Sequence, residues 1–494
     1  MTQNNELAFL SVKGLAALIR SRKISPVEVT DYFLDRIDAR NPSLNALVYV
    51  DHEGARKAAK QAEAELMKGV ENKPLLGVPT AAKDIGPSCP DWPDTMGGIR
   101  AMKDFRIPGY SSYMERMIAA GAIPIGKTNS PTFAFRGVCD NKLFGPTRNP
   151  FCPDRNSGGS SGGAAAAVAD GLLPVAEGSD AGGSIRIPAA WCNLFGFKAS
   201  FGSFPAVWRP NAFGTAFDFV ATGPMARSVE DTAIVLNAIA GYNSRDPFCV
   251  NHAVDYTSAL NRSMTGVRIG YTEDFGMYQV DPEIREMTKK AALRFQELGA
   301  TVVPVSFHIP YNMKELGELW CRMITISTVT NLENFRDNGM DLLKDHPEDL
   351  PDTLRYWLSV VDKMSITDVL HDQNIRTQLY DMLEDVMETC DLLISPTLCC
   401  HPVPNENNGD TMPPSMLFGE PVEPSIGWCL TVLTNFTGHA SASVPVGLSK
   451  KGFPVGMQLI GQRHGNLDVL AAAAAYERLA PWSGLYAKTQ NRPL

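Results

Sequence analysis

Two short stretches rich in glycine and serine hold the residues best suited to chemistry. The first reads Asn156-Ser157-Gly158-Gly159-Ser160-Ser161-Gly162-Gly163, and the second Gly178-Ser179-Asp180-Ala181-Gly182-Gly183-Ser184-Ile185-Arg186-Ile187-Pro188. Composition alone would make the first a flexible linker. Its flanks argue otherwise, because an alanine-rich helical run and then a strand-like run follow it directly. Glycines inside such a packed unit suit unusual backbone angles or close approach to a ligand. In the second stretch, small residues ending in a serine allow successive backbone N–H groups to point at one spot, as a developing oxyanion requires. The plain alternative is a tight glycine turn. A serine that attacks a carbonyl must give up its proton, usually to a histidine. No histidine lies near either stretch in sequence, although one could approach in space. Lys83, at the end of the apolar run 74–82, is another candidate base. Burial disfavours the charged form of a lysine and lowers its proton affinity. In general, though, a lysine after a strand is more often a surface or ion-pair residue.

The set Lys83-Asp84, Gly158 to Gly163 and Asp180 to Pro188 resembles the amidase-signature family. Gly126-Lys127-Thr128-Asn129, Asp391-Leu392-Leu393-Ile394-Ser395-Pro396-Thr397 and Pro454-Val455-Gly456-Met457-Gln458-Leu459-Ile460-Gly461 extend the match over nearly the whole chain. The resemblance implies an α/β fold, a large twisted mixed β-sheet between layers of α-helices. It also implies hydrolysis of a carboxylic amide, or a related carbamate, ester or anilide, through a serine acyl-enzyme without a cofactor or metal. Carried onto this chain, Ser184 is the nucleophile, Ser160 the bridging serine after a cis Gly159–Ser160 bond, and Lys83 the base. The backbone N–H groups of Ala181, Gly182, Gly183 and Ser184 would form the oxyanion hole, with Asp180 and Arg186 bracing the loop. Lys198-Ala199-Ser200 departs from the family's usual Lys-Pro-Thr and puts the local loop shape in question.

Within the family, the C-terminal portion is similar to 6-aminohexanoate cyclic-dimer hydrolase and to bacterial aryl- or alkyl-amidases and urethanases. Phe133 and Phe135 fall where members often shape the acyl pocket, though both suit a core equally well. Trp320-Cys321-Arg322 falls where the cyclic-dimer hydrolase places a pocket cysteine. The alternative function is the glutamine-hydrolysing A subunit of a tRNA-dependent amidotransferase. That subunit carries a Tyr/Ala/Gly-rich motif, which Leu354-Arg355-Tyr356-Trp357-Leu358-Ser359-Val360-Val361-Asp362 does not resemble.

Strand-like and helix-like runs alternate around these residues, as an α/β layered core demands. Ser25-Pro26-Val27-Glu28 reads as a capping box with proline at the first helical position. Helices are expected over 51–67, 113–120, 162–170, 229–240, 282–298 and 467–479, and strands over 74–82, 122–126, 173–176, 267–271, 301–305, 392–395, 442–446 and 455–460. The chain is read as one amidase domain over 1–494, with the signature core at about 75–225 and a helical excursion or lid at about 306–390. A competing motif, Gly121-Ala122-Ile123-Pro124-Ile125-Gly126-Lys127-Thr128, matches the phosphate-loop pattern GxxxxGK[ST]. There a strand should precede the glycines and a helix begin at the lysine. Here the order is reversed and Pro131 follows closely, so nucleotide binding is not expected.

Composition agrees with a globular enzyme. The 494 residues are 44% hydrophobic and 20% charged, with a net charge of −9 and no basic block, which speaks against nucleic acid or an anionic membrane as partner. The polar residues 1–6 and the short apolar run 7–10 do not make a secretory signal, and runs such as 164–169 fall far below the roughly 18 residues of a membrane span. Ten cysteines without a CxxC pair read as reduced thiols of a cytoplasmic protein, and the eight histidines show no HxxxH or HExxH spacing. The expected partner is a small-molecule amide substrate; a homodimer is allowed for.

Overall fold

The computed structural model describes residues 7–69, 72–214, 216, 219–251, 253–406 and 408–494. The polar start read over residues 1–6 lies outside them. Two sheets carry the chemistry-bearing strands. The smaller has three strands, β1 (Leu47–Val50), β2 (Pro79–Lys83) and β3 (Ile123–Thr128), in the order β1-β3-β2. The larger has eight: β4 (Val175–Asp180), β5 (Phe195–Lys198), β6 (Ala221–Ala226), β7 (Arg268–Tyr271), β8 (Thr301–Pro304), β9 (Leu392–Pro396), β10 (Ser441–Leu448) and β11 (Pro454–Gly461). Their order is β8-β7-β9-β11-β10-β5-β6-β4. β7 pairs in parallel with β8 and β9, and every other pairing is antiparallel, so the sheet is mixed. β9 and β11 are buried along their whole length, as their mainly apolar residues suit, and their polar members Ser395 and Gln458 bond to each other inside. β2 packs alongside β4, the end strand of the larger sheet, and this junction of the two sheets is where the site forms.

Helices cover the sheets: α1 (Val12–Arg20), α2 (Pro26–Arg40), α3 (His52–Met67), α4 (Ser112–Ala119), α5 (Gly162–Ala169), α6 (Arg186–Trp191), α7 (Val229–Ile239) and α8 (Pro282–Leu293) in the first part of the chain. The capping box at Ser25 is formed, with Glu28 reaching back to the cap and Pro26 in the first turn. α5 is apolar all round and fully buried, as such a helix must be. Residues 306–390 hold α9 (Met313–Asp337), α10 (Leu342–Asp345), α11 (Asp352–Val361) and α12 (Ile366–Met387). α13 (Val432–Thr437) and α14 (Asn466–Leu479) complete the set. Two apolar clusters result. One lies among α1–α7, α14 and both sheets; the other, around Trp320 and Trp428, joins α9–α13 to the far face of the large sheet. No helix among the described residues is long and apolar enough to cross a membrane.

Three differences from the expected elements have physical causes. β4 starts at Val175 and runs on to Asp180, where 173–176 was expected, because Glu177, Ser179 and Asp180 find polar partners inside the fold. β6 was not foreseen, since Gly223-Pro224 argues against an interior strand. The structure tolerates Pro224 because β5 pairs only with Met225 and Ala226, leaving Pro224 past its end. The helix expected over 282–298 tightens at Arg294 into a 3₁₀ segment that stops at Gly299 in the left-handed region.

Candidate active site

The strand–strand junction explains how a lysine so distant in sequence meets the serines. Lys83 ends β2, is 3% exposed, and its Nζ donates to Ser160 Oγ at 2.7 Å and to Ser179 Oγ at 2.9 Å. Its backbone N–H donates to Glu177 Oε2 at 3.1 Å. Ser179 and Glu177 stand two residues apart on β4, hence on one face of the strand, and both face Lys83. Burial pulls the Lys83 ammonium down to about 7, with Cys139, Glu177 and Asp180 acting the other way. No carboxylate forms an ion pair with its Nζ among the described residues, unlike the nearby Lys127.

Ser160 lies just before α5, after a Gly159–Ser160 peptide bond that is cis. Gly163 opens α5 where a Cβ would sit 2.3 Å from the Asn129 nitrogen and 2.5 Å from the Ala46 oxygen, so only glycine lets the helix start this close to β1 and β3. Ser184 follows β4 and precedes α6. The Ser161 N–H donates to the Ser184 carbonyl at 3.2 Å, which ties the two serine stretches together. Lys83, Ser160, Ser179, Ala181 and Ser184 all line one cavity. Among the described residues no hydrogen bond joins Ser160 Oγ to Ser184 Oγ; the lysine–serine contact is formed, and the serine–serine step shares the cavity wall.

The loop that carries Ser184 is held by a buried ion pair. Arg186 Nε and Nη2 each donate to Asp180 at 2.9 Å, and neither residue is exposed. Arg186 also donates to Thr434 Oγ1, Gln458 Oε1 and Asn435 Oδ1, each at 2.6 Å, and to the Thr431 carbonyl at 3.1 Å. Burial would raise the Asp180 carboxyl, but Arg186 outweighs it and holds it at about 2. Asp180 and Arg186 are thus structural partners of the loop. From the opposite side, Trp320 Nε1 donates to the Ala181 carbonyl at 2.8 Å and Thr431 Oγ1 to the Gly182 carbonyl at 2.6 Å. In a planar trans peptide the N–H points away from its carbonyl. These two bonds therefore turn the Gly182 and Gly183 N–H groups away from Trp320 and Thr431. The Gly183 N–H is then donated to Asp180 Oδ1 at 2.8 Å. Of the four N–H groups expected around an oxyanion, those of Ala181, Gly182, Gly183 and Ser184, the Gly183 N–H thus serves the brace in this structure.

The rest of the cavity is largely apolar and aromatic, with Met96, Tyr110, Phe133, Trp208, Trp320 and Ile324 in its wall. Its charged members among the described residues are Lys83, Glu177 and, toward solvent, Arg209. Phe133 lines it as expected, but Phe135 does not; that ring packs on Trp320 with centroids 5.8 Å apart. Nor does Cys321 line it. That thiol, fully buried on α9 one residue from Trp320, faces Glu423 and Ser425 instead. The phosphate-loop lookalike is strand β3, and its Lys127 is buried between Asp84 at 2.9 Å and Asp94 at 2.8 Å. Burial pulls the Lys127 ammonium down, but the two carboxylates outweigh it and hold it above its ordinary value. At the Lys198-Ala199-Ser200 departure, Lys198 donates to the His439 carbonyl at 2.7 Å and Ser200 Oγ accepts the His464 N–H at 2.8 Å. Sequence reasoning passed over Glu177, Ser179, Thr431 and Asn435. Glu177 and Ser179 carried a usable signal, their two-residue spacing ahead of Asp180; Thr431 and Asn435 lie some 250 residues downstream on a short helix and carried none.

The chain is similar to known proteins along nearly its whole length. A bacterial aryl acylamidase of the amidase signature family superposes with a TM-score of 0.96 at 46% identity, covering 98% of this chain and 99% of that one. An acylamidase of Rhodococcus erythropolis is 32% identical over 487 residues, 98% of each chain. The A subunit of a glutamyl-tRNA(Gln) amidotransferase from Halorhodospira halophila is 33% identical over 490 residues, 96% of this chain and 97% of its own. The family model described as Amidase matches residues 28–470, and the chain belongs to that amidase-signature family of amide-hydrolysing enzymes.

Proposed function

We propose that the chain hydrolyses acyl amides with an apolar, aryl-bearing group through an acyl-enzyme on Ser184, with Ser160 as relay and Lys83 as base. The observation that carries the reading is the buried Lys83 Nζ, held on Ser160 Oγ at 2.7 Å in a cavity that Ser184 also lines. Neutral Lys83 takes the Ser160 proton as Ser160 takes that of Ser184, and Ser184 Oγ bonds to the substrate carbonyl carbon. The same relay, reversed, protonates the departing nitrogen, which leaves as the free amine; water then repeats the cycle on the ester. An amine is a poor leaving group until protonated, so the acid half of the relay matters more for amides than for esters. The N–H groups of Ala181, Gly182 and Ser184 are the donors available to the oxyanion, each typically worth about 2.7–4 kcal/mol in the transition state.

The substrate class rests on the cavity wall. Tyr110, Phe133, Trp208 and Trp320 offer flat apolar faces, and the similarity to an aryl acylamidase at 46% identity points the same way. Glutamine, the substrate of the alternative reading, presents an ammonium and a carboxylate that such a wall leaves poorly solvated. The test is a panel of an acyl anilide, an aliphatic primary amide, a carbamate, an ester and glutamine, assayed with the purified chain alone. The anilide should give the highest kcat/KM among the amides, and glutamine turnover exceeding it would reverse the assignment.

A further inference from the structure

Among the described residues Glu177 is the one acidic side chain in the cavity wall, and the acyl-enzyme reading assigns it nothing. It sits on β4 between the two sheets, 8% exposed. Oε2 accepts the Lys83 backbone N–H at 3.1 Å, and Oε1 accepts Ser111 Oγ at 3.3 Å, where Ser111 caps α4. The carboxyl thereby joins three elements at the one residue whose side chain must reach Ser160. Its strand neighbour Ser179 holds the Lys83 ammonium end from the same face, so β4 grips the lysine at both its backbone and its tip.

We propose that Glu177 is a positioning residue for the base. It fixes the end of β2 against β4 so that Lys83 Nζ stays on Ser160 Oγ, and its charge sets how readily that lysine gives up its proton. The inference rests on the acyl-enzyme reading above. Its charge half follows from what surrounds the pair. Facing Glu177 are Lys83 from β2, Lys127 from β3, Tyr113 from α4 and Cys89 from the loop after β2. Facing the Lys83 ammonium are Cys139 and Asp180 besides Glu177. Lys127 is already paired with Asp84 and Asp94, and Asp180 with Arg186, so Glu177 is the carboxyl in this group with no ion pair of its own. Burial accordingly lifts its carboxyl to about 7, while burial brings Lys83 down to about 7 and the charge on each favours the charge on the other.

A carboxylate near an ammonium favours the charged lysine, so removing it frees neutral Lys83 at lower pH. The test compares Glu177→Gln, which keeps an acceptor for the Lys83 N–H but loses the charge, with Glu177→Ala, which loses both. The readout is the pH dependence of Ser184 labelling by a fluorophosphonate, which needs no knowledge of the substrate, with melting curves to check folding. In Glu177→Gln the acid limb should move down by about half a pH unit or more. In Glu177→Ala the alkaline plateau should fall about tenfold, with the glutamine variant recovering most of that loss. A limb that coincides in Glu177→Gln and the parent overturns the charge role, and a full plateau in folded Glu177→Ala overturns the positioning role. If the anilide preference fails while these shifts appear, the substrate assignment falls and this inference stands; no labelling of the parent chain at Ser184 removes both.

Discussion

A buried lysine becomes a base only where its nitrogen has something to deprotonate. Two lysines in this chain are brought to about 7 by burial, Lys83 and Lys198. Lys198 spends its donors on the carbonyls of His439 and Ala199 and does not line the cavity, whereas Lys83 meets two hydroxyls there. Lys83→Ala and Ser160→Ala should each lower kcat by several orders of magnitude with the melting temperature nearly kept, and anilide turnover should fall further than that of the matching ester. Equal losses on the two substrates would remove the relay from the acid step. Because the reactive form is neutral Lys83, kcat/KM should climb with pH through about 7 and level off above it. A profile flat from pH 5 to 9, with chemistry rate-limiting, is the outcome incompatible with a lysine base.

The elements turn a flexible glycine sequence into a fixed loop. β4 delivers Asp180, α6 returns Arg186 to it, α13 and β11 satisfy the remaining guanidinium donors, and α9 sends Trp320 across to Ala181. Gly183 sits at φ 125°, and a Cβ there would lie 2.1 Å from Thr431 Oγ1, so Gly183→Ala should abolish turnover, readable as lost Ser184 labelling in a folded chain. Trp320→Phe keeps the ring against Phe135 but deletes the bond to the Ala181 carbonyl. It should cost about tenfold in kcat with KM little changed, and a KM effect alone would make Trp320 only a wall residue. Much of this level was legible beforehand. Spacing, caps and alanine-rich composition located α2, α3, α4, α5, α7 and α14, because such signals are local properties. What escaped depends on distant partners: β4 reaches Asp180 because Lys83 and Arg186 give its polar end hydrogen-bond donors, and Gly183 turns its N–H to Asp180 because Thr431 holds its neighbour's carbonyl.

Across the whole molecule, a small sheet and a large one meet edge to edge, and the machinery sits where β2 touches β4. Lys83, Ser160 and Ser184, singled out from the signature stretches, do line one cavity, but the rest of its wall was not legible: Phe133 and Trp320 line it while Phe135 and Cys321 turn into the core, a choice made by packing around α9. The junction's stability leans on the buried Asp180–Arg186 pair. Arg186→Met leaves a desolvated carboxylate and should destabilise the chain by about 3–5 kcal/mol, seen as an earlier denaturant midpoint; an unchanged midpoint would mean the carboxyl is neutralised some other way. Asp180 is held at about 2, below the roughly 3.9 of an unfolded aspartate, so its stabilising share is complete above pH 4 and fades as pH falls toward 2. The central claim is that Ser184 carries the acyl group. It is tested most directly by treating the chain with a fluorophosphonate and mapping the adduct by intact mass and peptide analysis. The account predicts one adduct, on Ser184, absent from Ser184→Ala, which should be inactive; an adduct on Ser160, or turnover surviving in Ser184→Ala, would contradict it.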